Sequence, residues 1–304
     1  MRDCLGPVAS SRPRMQVPEG AWDTHFHVLG PQARFPYHDK RKYTPPDAPL
    51  ARALALHDAL GVARGLVVHA NTHGFDNSVD LDAVAGSGGR YLAVVRLGAD
   101  ATREGCEAMH AQGARGVRFA FNPQHGGELD RRVFDHVLEC IRGLGWFVEL
   151  HFEGAALPSL RDWLASIPAT VVIDHLGRVD PSLGLEQEPF RVLMELARRD
   201  NVWVKLSGAD RLTQRPGRCD DVIPFAHRLL EIAPGRLVWG SDWPHTGVFD
   251  PARMPDDGAL MDTLGRLVPD PSLLRRVLVD NPERLLDIGP RSKPSPGRIG
   301  VFVV

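Results

Sequence analysis

The stretch Trp22-Asp23-Thr24-His25-Phe26-His27-Val28 sets two histidines at positions i and i+2 of a short apolar run. Side chains alternate along a strand, so both imidazoles point to the same face. Two imidazoles side by side can hold a divalent cation or grip one substrate oxygen. Read alone, the pair is equally consistent with two half-exposed strand histidines. A second apolar run, Leu237-Val238-Trp239-Gly240-Ser241-Asp242, ends in an acid near the far end of the chain. A histidine pair on a first strand and an aspartate ending a last strand can share one site if the sheet between them closes into a barrel.

The intervening chain supplies the elements for such a closure. Apolar runs at 22–28, 66–70, 91–97, 116–121, 146–152, 170–176, 202–207 and 237–242 are eight candidate strands. Helical spacing lies between them. Leu50, Leu54 and Leu60 mark 50–60, with Gly61 as the stop, and Val133, Val137, Leu138 and Ile141 mark 130–144. Phe190, Leu193, Met194 and Ala197 mark 190–199, and Ile223, Ala226, Leu229 and Leu230 mark 222–233. Strand-then-helix units repeated eight times predict an α/β chain folded as a single-domain (β/α)8 TIM barrel. The competing open, doubly wound sheet would want a Gly-rich phosphate turn after an early strand, and no G-x-G-x-x-G is present.

A barrel carries its chemistry at the C-terminal ends of its strands. His25 and His27 end the first run, and His69 and Asn71 end the second. Arg118 lies in the fourth, His151 ends the fifth, His175 ends the sixth, Lys205 and Ser207 close the seventh, and Asp242 ends the eighth. His57, His110, His136 and His227 fall in helical segments and read as solvated or packing residues. The Pro-rich 29–49 connection is too long for a tight turn and is expected to form part of a lid.

The chain has 304 residues, 43% of them hydrophobic, enough for one large domain with a sizeable core. We expect an N-terminal extension over 1–20, partly flexible, the barrel over 21–289, and a linker-like C-terminal tail over 290–304. The apolar end of that tail could dock on the body or on a second subunit, which makes a homo-oligomer an open expectation. A formal charge of −2 without long Lys/Arg runs gives no footprint for nucleic acid. No 18-residue apolar stretch suits a membrane, and residues 1–20 lack the apolar core of a signal peptide. Four scattered cysteines without a C-x-x-C read as reduced thiols of a cytoplasmic protein.

Three motifs resemble strands one, six and eight of the amidohydrolase superfamily: Asp23-Thr-His25-Phe-His27, Ile173-Asp-His175-Leu-Gly177 and Trp239-Gly-Ser-Asp242-Trp-Pro-His245. Within it they are most similar to the 2-pyrone-4,6-dicarboxylate lactonase branch. The likeness runs over about residues 20–288 and takes in Lys42-Tyr43, Gly116-Val-Arg118-Phe, Val204-Lys205, Asp210-Arg211-Leu212, Pro255-Asp-Asp-Gly258 and Asn281-Pro282. It implies hydrolysis of a small anionic lactone from aromatic or sugar-acid breakdown. It also implies that His25, His27 and His175 contact the substrate carbonyl and that Asp242 activates water. Tyr43, Arg118 and Arg211 would then hold the substrate's acidic groups, with Asn71 nearby.

The chain departs from that branch at two positions. Gln124 stands where the branch has a second arginine, and His151 stands where it has a tyrosine. Gln124 and His151 therefore join the expected substrate-binding residues. His151 could equally act with His25, His27 and Asp242 as a site of three imidazoles and a carboxylate, suited to one Zn²⁺ or Mn²⁺. The branch itself implies a metal-free mechanism, and both readings stand open here. Metal-dependent decarboxylation of an aromatic or muconic acid, and a non-catalytic acid-binding barrel, are the alternatives to hydrolysis. A carbamylated-lysine centre is not expected, because the fourth strand offers Arg118 and no lysine.

Overall fold

In the computed structural model, which describes residues 2–121 and 130–288, eight parallel strands alternate with helices. The strands are β1 (Trp22–Phe26), β2 (Arg64–Val68), β3 (Tyr91–Val95), β4 (Ala114–Ala120), β5 (Phe147–His151), β6 (Val171–Ile173), β7 (Val202–Lys205) and β8 (Leu237–Val238). Each pairs with its sequence neighbour, so the order around the sheet is the order along the chain. The main helices are α1 (Leu50–Leu60), α2 (Ser78–Gly86), α3 (Arg103–Ala111), α4 (Arg131–Ile141), α5 (Leu157–Ser166), α6 (Glu188–Ala197), α7 (Ile223–Ile232) and α8 (Asp257–Leu267). This is the single-domain (β/α)8 barrel that the sequence pattern predicts. Local chemistry sets the helix ends: Asp130 caps α4 through Arg132 N and Val133 N, and Gly61 stops α1 in the left-handed region at φ 76°. Among the described residues no helix is long and apolar enough to cross a membrane.

The last contact of the ring, β1 against β8, is made by irregular chain. Thr24 N and Oγ1 both donate to the Trp239 carbonyl, at 2.9 and 2.8 Å. Asp242 N donates to the His25 carbonyl at 2.8 Å, and His27 N to the Trp243 carbonyl at 2.7 Å. The buried Asp23 carboxylate ties the same seam. It accepts from His25 N and Ser241 N at 3.0 Å each and from the Ser241 hydroxyl, and His57 Nε2 lies 3.2 Å away. His57 is thus a wholly buried hydrogen-bonding residue, held on its other side by Tyr91.

The barrel interior is layered. Trp22, Leu66, Val68, Val94, Phe147, Val172, Trp203 and Val238 form an apolar floor drawn from seven strands. The eighth, β4, contributes Gly116, where a Cβ would stand 2.9 Å from the Phe147 ring. A bulge in β1 between Asp23 and Phe26 shifts the alternation, so Trp22 lies in the floor while His25 and His27 face the interior above it. The strands stop short of several expected ends, β6 and β8 by the most. β6 stops at Ile173 and β8 at Val238, and the chemical residues beyond them sit on turns, His175 at φ 50° and Asp242 at φ 62°.

The N-terminal segment lies along the barrel. Arg2–Asp3 pairs with Tyr43–Thr44, Ser11 N bonds Asp256, and Arg14 N and Nε bond Asp262. The four cysteines are free and buried.

Closure depends on Gly240. A Cβ there would meet the backbone of His25, 2.6 Å from N and 2.8 Å from Cα. Gly240→Ala is therefore expected to cost about 3 kcal/mol, read as a lower midpoint in chemical denaturation. An unchanged midpoint would show that β1 and β8 can part without penalty.

Candidate active site

Above the apolar floor, four ionisable side chains fill the barrel: Arg118 from β4, Glu149 from β5, Asp174 just past β6 and Lys205 from β7. All are buried, Glu149 and Lys205 completely. Lys205 Nζ donates to Glu149 Oε2 and, at 3.0 Å, to the Thr24 carbonyl, and lies 3.5 Å from Asp174 Oδ1. Arg118 donates Nε and Nη2 to Asp174 Oδ2 at 3.2 and 3.0 Å and lies 3.4 Å from Glu149 Oε1. Two cations face two carboxylates. Burial alone would raise the Asp174 carboxyl, but His25, Lys205 and Arg118 hold it well below the usual carboxylate range.

This layer sets the ring nitrogens above it. Arg118 Nη2 donates to His151 Nδ1 at 2.9 Å. A guanidinium has no lone pair to offer, so Nδ1 accepts and the neutral ring carries its proton on Nε2. Burial first, then Arg118, lowers the proton affinity of His151 well below that of an ordinary histidine. His25 Nδ1 lies 3.0 Å from Lys205 Nζ and 3.3 Å from both Glu149 Oε1 and Asp174 Oδ1. Burial and Lys205 oppose its protonation, but Asp174 and Glu149 outweigh them and the pKa of His25 is raised.

At the top of the barrel Asp242 faces the histidines. Arg211 Nε donates to Asp242 Oδ2, which leaves Oδ1 3.3 Å from His27 Nε2 and 3.6 Å from His25 Nε2. Burial would raise the Asp242 carboxyl, yet Arg211 foremost holds it well below its ordinary value. His27 Nδ1 lies 2.7 Å from the Val68 carbonyl, which can only accept, so Nδ1 donates. Burial keeps this ring neutral by lowering its pKa, so Nε2 turns a lone pair toward Asp242. His25 Nε2 is a buried atom without a hydrogen-bond partner. His175 Nδ1 lies 2.8 Å from Ser207 Oγ, and a Cβ on Gly208 would stand 2.9 Å from its Cβ. Burial lowers the His175 pKa well below the usual value.

These groups open onto a cavity of about 50 Å³ lined by His27, Tyr43, Asn71, Arg118, His151, His175, Arg211 and Asp242, with Ala70, Arg178 and Thr246. The structure thus brings together every site residue expected from the sequence except His25, which lies beneath the lining in contact with it, and Gln124, which falls outside the described residues. Several do not stand as expected. Arg118 and Arg211, read as clamps for substrate anions, already grip Asp174 and Asp242. All three Arg118 nitrogens are engaged, Nη1 with the His69 carbonyl at 3.3 Å. His69 itself bonds Asp80 and the Gly74 carbonyl.

The expected metal quartet of His25, His27, His151 and Asp242 is also redrawn. Among the described residues, ligand atoms lie within 4.8 Å of one another in His25–His175–Asp242, in His151–Asp174–His175 and in His25–Glu149–Asp174. The Arg118 donor at His151 Nδ1 leaves a proton, not a lone pair, on the nitrogen that would bind. Lone pairs and orphaned nitrogens facing Asp242 Oδ1 are a donor set compatible with a divalent metal, with His175 in the place foreseen for His151.

Sequence reading gave no role to Asp174, Arg178 or Thr246, whose Oγ1 accepts from Tyr43 OH at 2.8 Å. For the buried quartet a signal existed: single charged residues at inward positions of otherwise apolar strands, two of each sign.

A family model described as amidohydrolase matches residues 22–288. The chain is 50% identical over 287 residues to a 4-sulfomuconolactone hydrolase of Rhizobium radiobacter, covering 94% of this chain and 96% of that protein. It is 40% identical over 287 residues to a 2-pyrone-4,6-dicarboxylate hydrolase of Comamonas testosteroni, covering 90% and 92%. A solved structure from Acinetobacter baumannii, described as a probable 2-pyrone-4,6-dicarboxylic acid hydrolase with citric acid bound, matches with a TM-score of 0.79 at 26% identity. That match covers 88% of this chain and 99% of the other.

The quartet beneath the site predicts a specific mutational pattern. Lys205→Met leaves two buried carboxylates, Glu149 and Asp174, facing Arg118 alone and is expected to lower stability by about 3–5 kcal/mol. Adding Glu149→Gln removes the excess negative charge and should recover part of that loss. Denaturant titration of both variants reads the coupling, and a double variant no more stable than the single one would show that Glu149 and Lys205 act independently.

Proposed function

The chain belongs to the amidohydrolase family, and from that premise we propose that it is a hydrolase opening a small anionic lactone by attack of water on the ring carbonyl. Two of its relatives carry names of cyclic esters with acidic substituents. The observation that carries the reading is the placement of Asp242. One of its oxygens is locked by Arg211, and the other is aimed at His25 and His27 at the mouth of the barrel.

A water bridging Asp242 Oδ1 and His27 Nε2 from the cavity side meets two acceptors, which orients both of its protons away from the carbonyl it attacks. As the new carbon–oxygen bond forms, Asp242 takes a proton as general base. The ring carbonyl becomes a tetrahedral oxyanion, and His151, a donor at Nε2, is poised to stabilise it together with His25 and His175. Collapse breaks the ring carbon–oxygen bond, and the proton held by Asp242 passes to the departing ring oxygen. The product is a ring-opened hydroxy acid, or its keto tautomer when the departing oxygen is enolic.

Arg211 makes Asp242 a weak base, so the attacking water must be activated by more than the carboxylate. His25, His27, His175 and Asp242 would hold a divalent cation, Zn²⁺ or Mn²⁺. When bound, such a cation acidifies the attacking water and polarises the carbonyl. In the metal-free alternative, His25, raised in pKa by Asp174 and Glu149, supplies the positive charge instead.

Asp242→Asn keeps the shape of the site and removes the base. Turnover of a lactone carrying carboxylate groups is expected to fall roughly 10²–10⁴-fold with the circular dichroism spectrum retained, and near-normal turnover would refute the assignment. Elemental analysis of protein purified without added metal tests the cation. We expect near-stoichiometric zinc or manganese, activity lost with chelator, and activity regained on adding either ion. Full activity after verified metal removal would establish the metal-free route.

A further inference from the structure

Beside the catalytic cavity lies a larger one, about 400 Å³, whose walls include Lys40, Arg41, Lys42, Phe75 and Arg96. The two share Tyr43 and Asn71. No acidic side chain among the described residues lines the second cavity. Among the described residues none of its four cations forms an ion pair. Within the same described residues the Arg41 guanidinium donates to Thr44 Oγ1 and the His38 carbonyl, and the Arg96 guanidinium to the Gly74 carbonyl, each at 3.2 Å. Arg96 is laid over the exposed Phe75 ring, 4.4 Å from its centroid.

The contrast with the catalytic cavity is one of charge and of volume. There, Arg118 and Arg211 are already neutralised by buried carboxylates. At about 50 Å³ it is also far below the roughly 300–1,000 Å³ typical of small-molecule sites, a range that the two cavities reach together. A ring carbonyl fits against Asp242, while the cations described around it, Arg118, Arg178 and Arg211, each already stand within ion-pair distance of a carboxylate.

We propose that the cavity formed by Lys40, Arg41, Lys42 and Arg96 is an anion subsite that takes a carboxylate or sulfonate substituent of the lactone while its ring carbonyl sits at Asp242. This rests on the hydrolase reading given above. The four uncompensated cations supply the attraction, the Arg41 and Arg96 guanidinium groups can offer donors to planar or tetrahedral oxyanions, and the Phe75 face supplies an apolar wall. The subsite selects substrates with a second acidic group over those with one.

Lys40 and Lys42 are exposed, so Lys40→Gln/Lys42→Gln removes two charges without opening the core. Arg12→Gln/Arg191→Gln, exposed and outside both cavities, is the control of equal net charge. For a lactone with two acidic groups we expect KM to rise about tenfold or more in the lysine variant, with kcat near that of the wild type. For the same ring with one acidic group, KM should change by no more than about twofold, and the control should change neither. Equal effects on both substrates, or none on either, overturn the proposal. Calorimetric titration with phthalate separates this outcome from failure of the hydrolase reading, because it needs no turnover. Binding to the wild type that weakens about tenfold in the lysine variant supports the subsite even if no lactone is opened. Absence of binding to the wild type, or equal affinity in both proteins, overturns it.

Discussion

Four charges locked in the middle of the barrel are the interaction on which the site depends. Arg118, Glu149, Asp174 and Lys205 come from four successive strand units and meet with almost no access to water. Removing such groups from solvent costs several kcal/mol per ion and is tolerated only when partners are close and numbers balance. Here both conditions hold. The layer separates an apolar floor, which supplies burial, from a mouth that supplies chemistry.

Its influence reaches upward through hydrogen bonds. Arg118 dictates which nitrogen of His151 carries the proton, and Lys205 with two carboxylates surrounds the inner nitrogen of His25. The Val68 carbonyl does the same for His27 from the neighbouring strand. The histidines are therefore not interchangeable bases. His27 presents a lone pair, His151 presents a proton, and His25 is biased toward holding charge. Such a division lets one cavity both receive a proton and stabilise an oxyanion without either task waiting on side-chain rearrangement.

The same economy explains the turns that follow β6 and β8. His175 and Asp242 stand in the left-handed region, a conformation costing on the order of 1–3 kcal/mol for residues with side chains. Leaving the regular ladder turns them across the barrel mouth. The seam between β1 and β8 holds this arrangement, because the bonds that close the barrel run through His25, His27, Asp242 and Trp243 themselves. Fold and site are one set of contacts there.

The barrel was legible in the sequence because strand alternation and helix spacing are local properties. The eight runs, the helices over 50–60 and 222–233 and the His25–His27 pair all follow from side chains a few residues apart, and the apolar runs put Asp242 and His175 at the close of their units, although both stand on turns past the strands. What the sequence alone left open was partnership. It offered Arg118 and Arg211 as clamps for substrate anions, with a nearby acid as the other partner for Arg118, whereas folding brings Asp174 and Asp242 to them from 56 and 31 positions away. It offered His151 as a ligand, whereas a guanidinium one strand over takes the nitrogen that decides the tautomer. It gave no value to Arg96, Lys40 and Arg41 as a group, because only the docking of the first loop against the turn after β2 puts them around one cavity. Residue types and their periodicity determine which elements form and which faces they bury. Which charge neutralises which, and so which cations remain for a substrate, is set by distances across the barrel that no local pattern contains.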